Sequence, residues 1–371
     1  MKYLSILTCF LPFLLMAQTA ETVELYNKAV MTAKDGNNKE AIAIYSQVLA
    51  IDPLYSKAYM NRGVSKMKLK DLEAAVKDFG KTLKLDSENA KAHYYAGYCL
   101  MQMKKNEDAI KSFSRALKHD ESMTKVFYYR AYIQMQLGDY DKAIEDFQDA
   151  IAKDKASDKA YYNLGVCYLK KDNPELASQS FTAALSKNPE YIPALKEKVK
   201  LAYKAGNYEA SIAAAQSLAE LDPKNKTAPY YLGLSQLKAD NKEAAYAAFG
   251  TLLKLDPENK NALANRAVIS INSKNYEVAV TDYTALIAVA PEKKNYYNRA
   301  LSYMQLEKWT AALEDLSQVI KLDNTSGKAF YNRSNVQLKL EDNDKACSDM
   351  RRAAELGYDD AFNYIAGICG G

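Results

Sequence analysis

Five arginines in this chain each stand sixteen residues before an aspartate: Arg62 and Asp78, Arg130 and Asp146, Arg266 and Asp282, Arg299 and Asp315, Arg333 and Asp349. A guanidinium beside a carboxylate serves either a reacting site or a partly buried ion pair. Five copies in one chain point to the second use, because the planar fork of arginine suits bidentate pairing within a fold. Other candidates for chemistry are few. The two histidines, His93 and His119, fall at unrelated positions of the repeat described below, and no HExxH, CxxC, GxSxG or Walker-type loop is present. The many carboxylates fall mostly on solvent-facing helix positions, where charge serves solvation. These observations predict a non-enzymatic protein with no catalytic residues, no cofactor and no metal ligands.

The residues around one Arg–Asp pair show which elements must hold it. Over 124–157, Phe127, Ala131, Tyr132 and Met135 have helical spacing. Gly138-Asp139-Tyr140 then breaks the pattern as a tight turn would, and Ala143, Ile144, Phe147, Ala150 and Ile151 begin a second amphipathic run. Ala131 and Ala143 let two backbones approach closely. Such a hairpin cannot bury its apolar face alone and needs neighbours of its own kind.

A step of 34 residues finds them. Ten repeats fit the chain, starting at 22, 56, 90, 124, 158, 192, 226, 260, 293 and 327, with the eighth one residue short. Position 8 reads Ala29, Gly63, Gly97, Ala131, Gly165, Val199, Gly233, Ala267, Ala300, Ser334. Position 20 reads Ala41, Ala75, Ala109, Ala143, Ala177, Ser211, Ala245, Ala279, Ala312, Ala346. Pro53, Pro189, Pro223, Pro257 and Pro291 stand at position 32, where proline ends one helix before the next begins. Arginine occupies position 7 and aspartate position 23 of the same five repeats, so each pair would link the two helices of one hairpin. Val199 and Ser211 make the sixth repeat the least regular.

Small residues at 8 and 20, an aromatic at 24, alanine near 27 and proline near 32 resemble the tetratricopeptide repeat, and the resemblance covers nearly everything after residue 21. It implies an all-α fold, a right-handed α-solenoid of about ten helical hairpins over 22–360. Residues 361–371 would form a cap and tail, with a short helix from about Asp360 to Ile368. The ending AAELGYDDA also looks like Sel1-type repeats. In the family, the first helices line a concave groove through positions near 2, 5, 6, 9, 12 and 13. Carried onto this chain, position 5 supplies Tyr26, Tyr94, Tyr128, Tyr162, Tyr230, Tyr297 and Tyr331. Position 6 supplies Asn27, Asn61, Asn163, Asn265, Asn298 and Asn332, and position 2 supplies Lys57, Lys91, Lys125, Lys159, Lys294 and Lys328. The sixth repeat replaces this pattern with Lys196, Lys200 and Lys204.

Tyrosine faces, amides and a lysine rim suit an extended segment of a partner protein, with amides bonding its backbone and lysines favouring acidic residues. The alternative reading of the same side chains is packing: tyrosine against the neighbouring helix, lysine as a solubilising charge. A glycan-binding face with tyrosines as stacking platforms, and a self-assembling structural protein, are further readings. The net charge of +4 is too small and too evenly spread along the sequence to suggest nucleic-acid binding.

The N-terminus reads separately. Met1-Lys2 and the apolar run 4–16 have the form of a signal peptide, with cleavage expected after Ala17 and with Thr19 and Ala20 as alternative sites. The mature protein is therefore expected to be exported, to the periplasm or cell surface of a bacterium, with no membrane insertion after cleavage. Cys99 and Cys167 share one repeat position two repeats apart, too far to bond, and read as small core residues. Cys347 and Cys369 would staple the cap to the last repeat if bridged; otherwise they are two partly buried thiols.

Overall fold

The computed structural model describes residues 20–154 and 157–369. The expected signal peptide, 1–17, lies outside the described residues. Among those residues every regular element is an α-helix, and the helices follow one another as hairpins. Residues 20–34 and Asn38–Ile51 form the first, and Thr124–Leu137 and Tyr140–Lys153 the fourth. Gly327–Lys339 and Asn343–Glu355 form the tenth, followed by a single closing helix, Asp359–Cys369. The chain divides into two compact halves between Tyr191 and Ile192, where the fifth repeat meets the irregular sixth. Each half is an α-solenoid segment. Within it, the first helix of a repeat packs on its own second helix and on the second helix of the repeat before.

The small positions explain how closely the helices cross. A Cβ added at Gly63, Gly97, Gly165 or Gly233 would stand 2.7–2.8 Å from the ring of Phe79, Phe113, Phe181 or Phe249 respectively. Each ring lies sixteen residues on, at position 24, and is fully buried. Position 8 thus sets the depth to which the aromatic of the partner helix enters. In the sixth repeat the fit is made differently. Ser211 Oγ donates to the Val199 carbonyl at 3.2 Å, and Ser235 Oγ donates to Ser211 Oγ at 2.8 Å.

The turn inside each hairpin has one conformation throughout. Position 15 adopts positive φ in all ten repeats: glycine at Gly36, Gly138 and Gly206, but Lys70, Lys104, Asp172, Asp240, Lys274, Glu307 and Glu341 elsewhere. Glycine alone marks this turn in sequence, so only three of the ten were legible there. The second helix then starts on a capping side chain at position 16 in several repeats. Asp71, Asn173, Asn207, Asn275 and Asp342 each accept a hydrogen bond from a backbone N–H three residues on.

At the C-terminal end, the closing helix covers Phe330, Met350, Ala353 and Ala354 with Ala361. A Cys347–Cys369 disulfide fastens its far end to the last repeat. Cys99 and Cys167 are buried, and burial pushes their thiols up to about 11 and about 12. No helix among the described residues is long and apolar enough to cross a membrane.

Candidate functional site

All five arginines meet their aspartates within the hairpin, each through two hydrogen bonds. In the fourth repeat, Arg130 Nε donates to Asp146 Oδ2 and Nη2 to Oδ1, both at 2.7 Å. The distances are 2.8 Å and 2.8 Å for Arg62–Asp78, 2.8 and 2.6 Å for Arg266–Asp282, 2.8 and 2.7 Å for Arg299–Asp315, and 2.6 and 2.8 Å for Arg333–Asp349. All five aspartates are buried. Their second helix carries them inward, and the guanidinium offsets the cost of removing a carboxylate from water.

A third bond crosses to the preceding repeat. Arg62 Nη1 donates to Ser46 Oγ at 3.0 Å, Arg130 Nη1 to Ser114 Oγ at 2.9 Å, Arg299 Nη1 to Thr284 Oγ1 at 3.0 Å, and Arg333 Nη1 to Ser317 Oγ at 3.3 Å. Each hydroxyl stands at position 25. One guanidinium therefore ties three helices. The within-hairpin spacing does not reveal this bond; a comparison of position 25 with position 7 of the next repeat would.

The asparagine and tyrosine rows find each other. Asn61 Nδ2 donates to the Tyr26 hydroxyl at 2.8 Å, Asn163 to Tyr128 at 3.1 Å and Asn332 to Tyr297 at 2.7 Å, each 35 residues apart. Asn298 donates to the Tyr283 hydroxyl at 3.1 Å. Asn265 turns back to the Asn261 carbonyl at 2.8 Å, and Asn261 reaches the Tyr230 hydroxyl at 3.4 Å. The sequence reading had these amides bonding the backbone of a bound segment. In the structure the N–H groups of Asn61, Asn163 and Asn332 join neighbouring repeats instead, because position 6 of one first helix faces position 5 of the one before; Asn298 reaches position 24 of the preceding repeat, and Asn265 bonds within its own helix. Burial, partly opposed by the Asn332 bond, pushes the Tyr297 phenol up to about 12.

The tyrosines are half-buried and cluster most densely in the third and fourth repeats. Ring centroids lie 4.9 Å apart for Tyr94 and Tyr95, 6.3 Å for Tyr94 and Tyr129, 5.3 Å for Tyr98 and Tyr129, and 6.4 Å for Tyr128 and Tyr132. Tyr162 packs edge-on to Tyr191 at 5.4 Å. Tyr331 lies against Tyr358, 4.9 Å between centroids, and is therefore tied to the segment leading into the closing helix. Lys91, Lys125 and Lys159 are exposed beside the cluster. In the sixth repeat Lys200 pairs with Glu197 at 2.7 Å, whereas Lys196 has no ion pair among the described residues. No group of three metal-ligating side chains occurs among the described residues.

A family model described as the N-terminal ARM repeat of tetratricopeptide repeat protein 21 matches residues 16–212, more than half of the chain. The chain belongs to the tetratricopeptide repeat family. A tetratricopeptide repeat model also matches 196–249, 232–293 and 297–361. Among solved structures, the C-terminal part of a tetratricopeptide repeat-containing protein from Cytophaga hutchinsonii is 21% identical, with a TM-score of 0.56 over 65% of this chain and 98% of that one. A tetratricopeptide repeat protein from Parabacteroides merdae is 22% identical, with a TM-score of 0.42 over 66% and 98%. The Cytophaga likeness is one of fold. The tetratricopeptide repeats of this chain make it a protein–protein interaction scaffold.

Proposed function

We propose that this tetratricopeptide repeat protein is exported to the bacterial cell envelope and binds an extended segment of a partner protein across its first helices. The observation that carries this reading is the tyrosine cluster of the third and fourth repeats, edged by exposed Lys91 and Lys125. Half-buried phenol rings present apolar area at low entropic cost, and a lysine edge favours acidic residues at the rim. With the asparagine N–H groups engaged internally, recognition rests on ring faces and charge more than on amide contacts to the partner backbone. The charged start and apolar run at 1–17 support export.

A photocrosslinking side chain placed at Tyr98 or Tyr132, and separately at Gln148 on a second helix, tests the reading in intact cells. One identified envelope protein should crosslink from the first-helix sites and not from Gln148, and fractionation should place the mature chain, beginning at Gln18, in the envelope. Equal crosslinking from all three sites, or a cytoplasmic chain retaining its N-terminus, would reject the proposal.

A further inference from the structure

Charge is not evenly spread over the folded chain. Residues 56–123, the second and third repeats, hold fourteen Lys and Arg against nine Asp and Glu, a net +5 where the whole chain carries +4. On their second helices the excess occupies three matching positions: Lys77, Lys81 and Lys84 in the second repeat, and Lys111, Arg115 and Lys118 in the third. These stand at positions 22, 26 and 29, spaced i, i+4, i+7, and share one helix face. All six are exposed. Among the described residues Lys111 alone of the six has an ion pair, an exposed one with Asp108 at 3.5 Å; pairs of that kind contribute little.

Two structural features mark out this face. Ala96 replaces arginine at position 7 of the third repeat, so no guanidinium reaches position 25 of the second, which is Gly80. A Cβ added at Gly80 would meet nothing within 4 Å. The result is an open depression of about 420 Å3, walled by Tyr59 and rimmed by the Lys77, Lys81 and Lys84 side chains. At its base the Asp78 carboxylate is paired with Arg62, and it is held as well by Lys66, so two cations offset that one carboxylate. The second feature bounds the face. In the fourth repeat the corresponding helix turns acidic, with Asp141, Glu145 and Asp149 exposed.

We propose that the outward face of these two second helices is a docking surface for a short acidic segment of a protein, separate from the first-helix face. The depression seats one side chain of the ligand against Tyr59, and the six cations pair with its carboxylates. Carboxylates on one side of an extended chain recur about every 7 Å, close to the roughly 6 Å rise between Lys77 and Lys81. The acidic stripe of the fourth repeat limits the ligand to about two repeats. A duplex or a bilayer, which continues past the patch, would meet like charge there. Tyr59 is the single aromatic residue lining the depression, whereas the clustered rings that could stack on successive nucleobases lie on the first helices of the third and fourth repeats.

The test is fluorescence anisotropy of a labelled twelve-residue Glu/Asp-rich peptide against the full chain, with a DNA duplex and phosphatidylserine vesicles as competing probes. The peptide should bind at low salt. Lys77→Gln/Lys81→Gln/Lys84→Gln and Lys111→Gln/Arg115→Gln/Lys118→Gln should each weaken it roughly tenfold and flatten the salt dependence. Gly80→Gln, which fills the depression without changing charge, should also weaken binding. Circular dichroism checks that helicity is kept. Absence of peptide binding overturns the proposal, as do variants that bind like the wild type. Tighter binding of duplex or vesicle through the same six residues overturns it too.

Discussion

Arg266 lacks the inter-repeat bond that its four counterparts make, because the residue it would meet is Gly250. Its Nη1 lies 3.8 Å from where a Cβ at 250 would stand. Both bonds to Asp282 are intact, so the hairpin is closed; the guanidinium still lies over the Tyr246 ring of the seventh repeat, 5.8 Å from its centroid, and what is missing is the hydrogen bond to that repeat.

Gly250→Ser should therefore stabilise the C-terminal half. Serine is a better helix former than glycine, and its Oγ extends toward the waiting Nη1. Together these should contribute about 1 kcal/mol. The check is a rise in the urea midpoint that vanishes when Arg266 is also replaced by Leu.

The Arg130–Asp146 pair should behave asymmetrically. Arg130→Leu alone leaves a buried carboxylate uncompensated and should cost about 3–5 kcal/mol. Arg130→Leu/Asp146→Ser installs what the fifth repeat carries at the same positions, Leu164 and Ser180. That double variant should recover most of the loss, measured as urea midpoints of the three proteins.

Position 15 offers a backbone test. Lys104 sits at φ 58° on a turn that Gly138 makes at φ 84°. Lys104→Gly should raise stability by about 0.5–1 kcal/mol by relieving the left-handed penalty of a side chain. Gly138→Ala should lower it by a similar amount.

His93 predicts a pH dependence. Burial lowers its pKa foremost; the bond to the Ser87 carbonyl, 3.1 Å from Nε2, opposes this, and Arg115 and His119 add to the lowering. The unfolded chain takes up the proton first, at about pH 6.5. Stability from this group is thus fully present above that pH and is lost as pH falls through the lowered folded value. Urea midpoints should drop between pH 7 and pH 5, and His93→Gln should flatten the slope.

Much of the architecture was legible in the sequence because close packing admits few residues. Ala, Gly or Ser at positions 8 and 20 announced the helix crossing, and the co-occurrence of Arg at 7 with Asp at 23 announced a within-hairpin partner. The turn conformation was mostly hidden, since Lys70 or Glu307 carries no outward sign of positive φ. The asparagine and tyrosine rows were visible as rows, but their sense was not. Asn332 looked free to meet a ligand until the hairpins stacked and placed it 2.7 Å from the Tyr297 hydroxyl.

The sequence by itself determined period, helix faces and ion-pair partners within a repeat, because these depend on contacts inside 34 residues. Only the tertiary structure decided what happens between repeats: the third bond of four of the five arginines, the Asn–Tyr ties, the missing hydrogen bond at Gly250 and the depression at Gly80. These depend on which residues of adjacent hairpins meet at hydrogen-bond distance, and a repeat read alone contains one half of each contact.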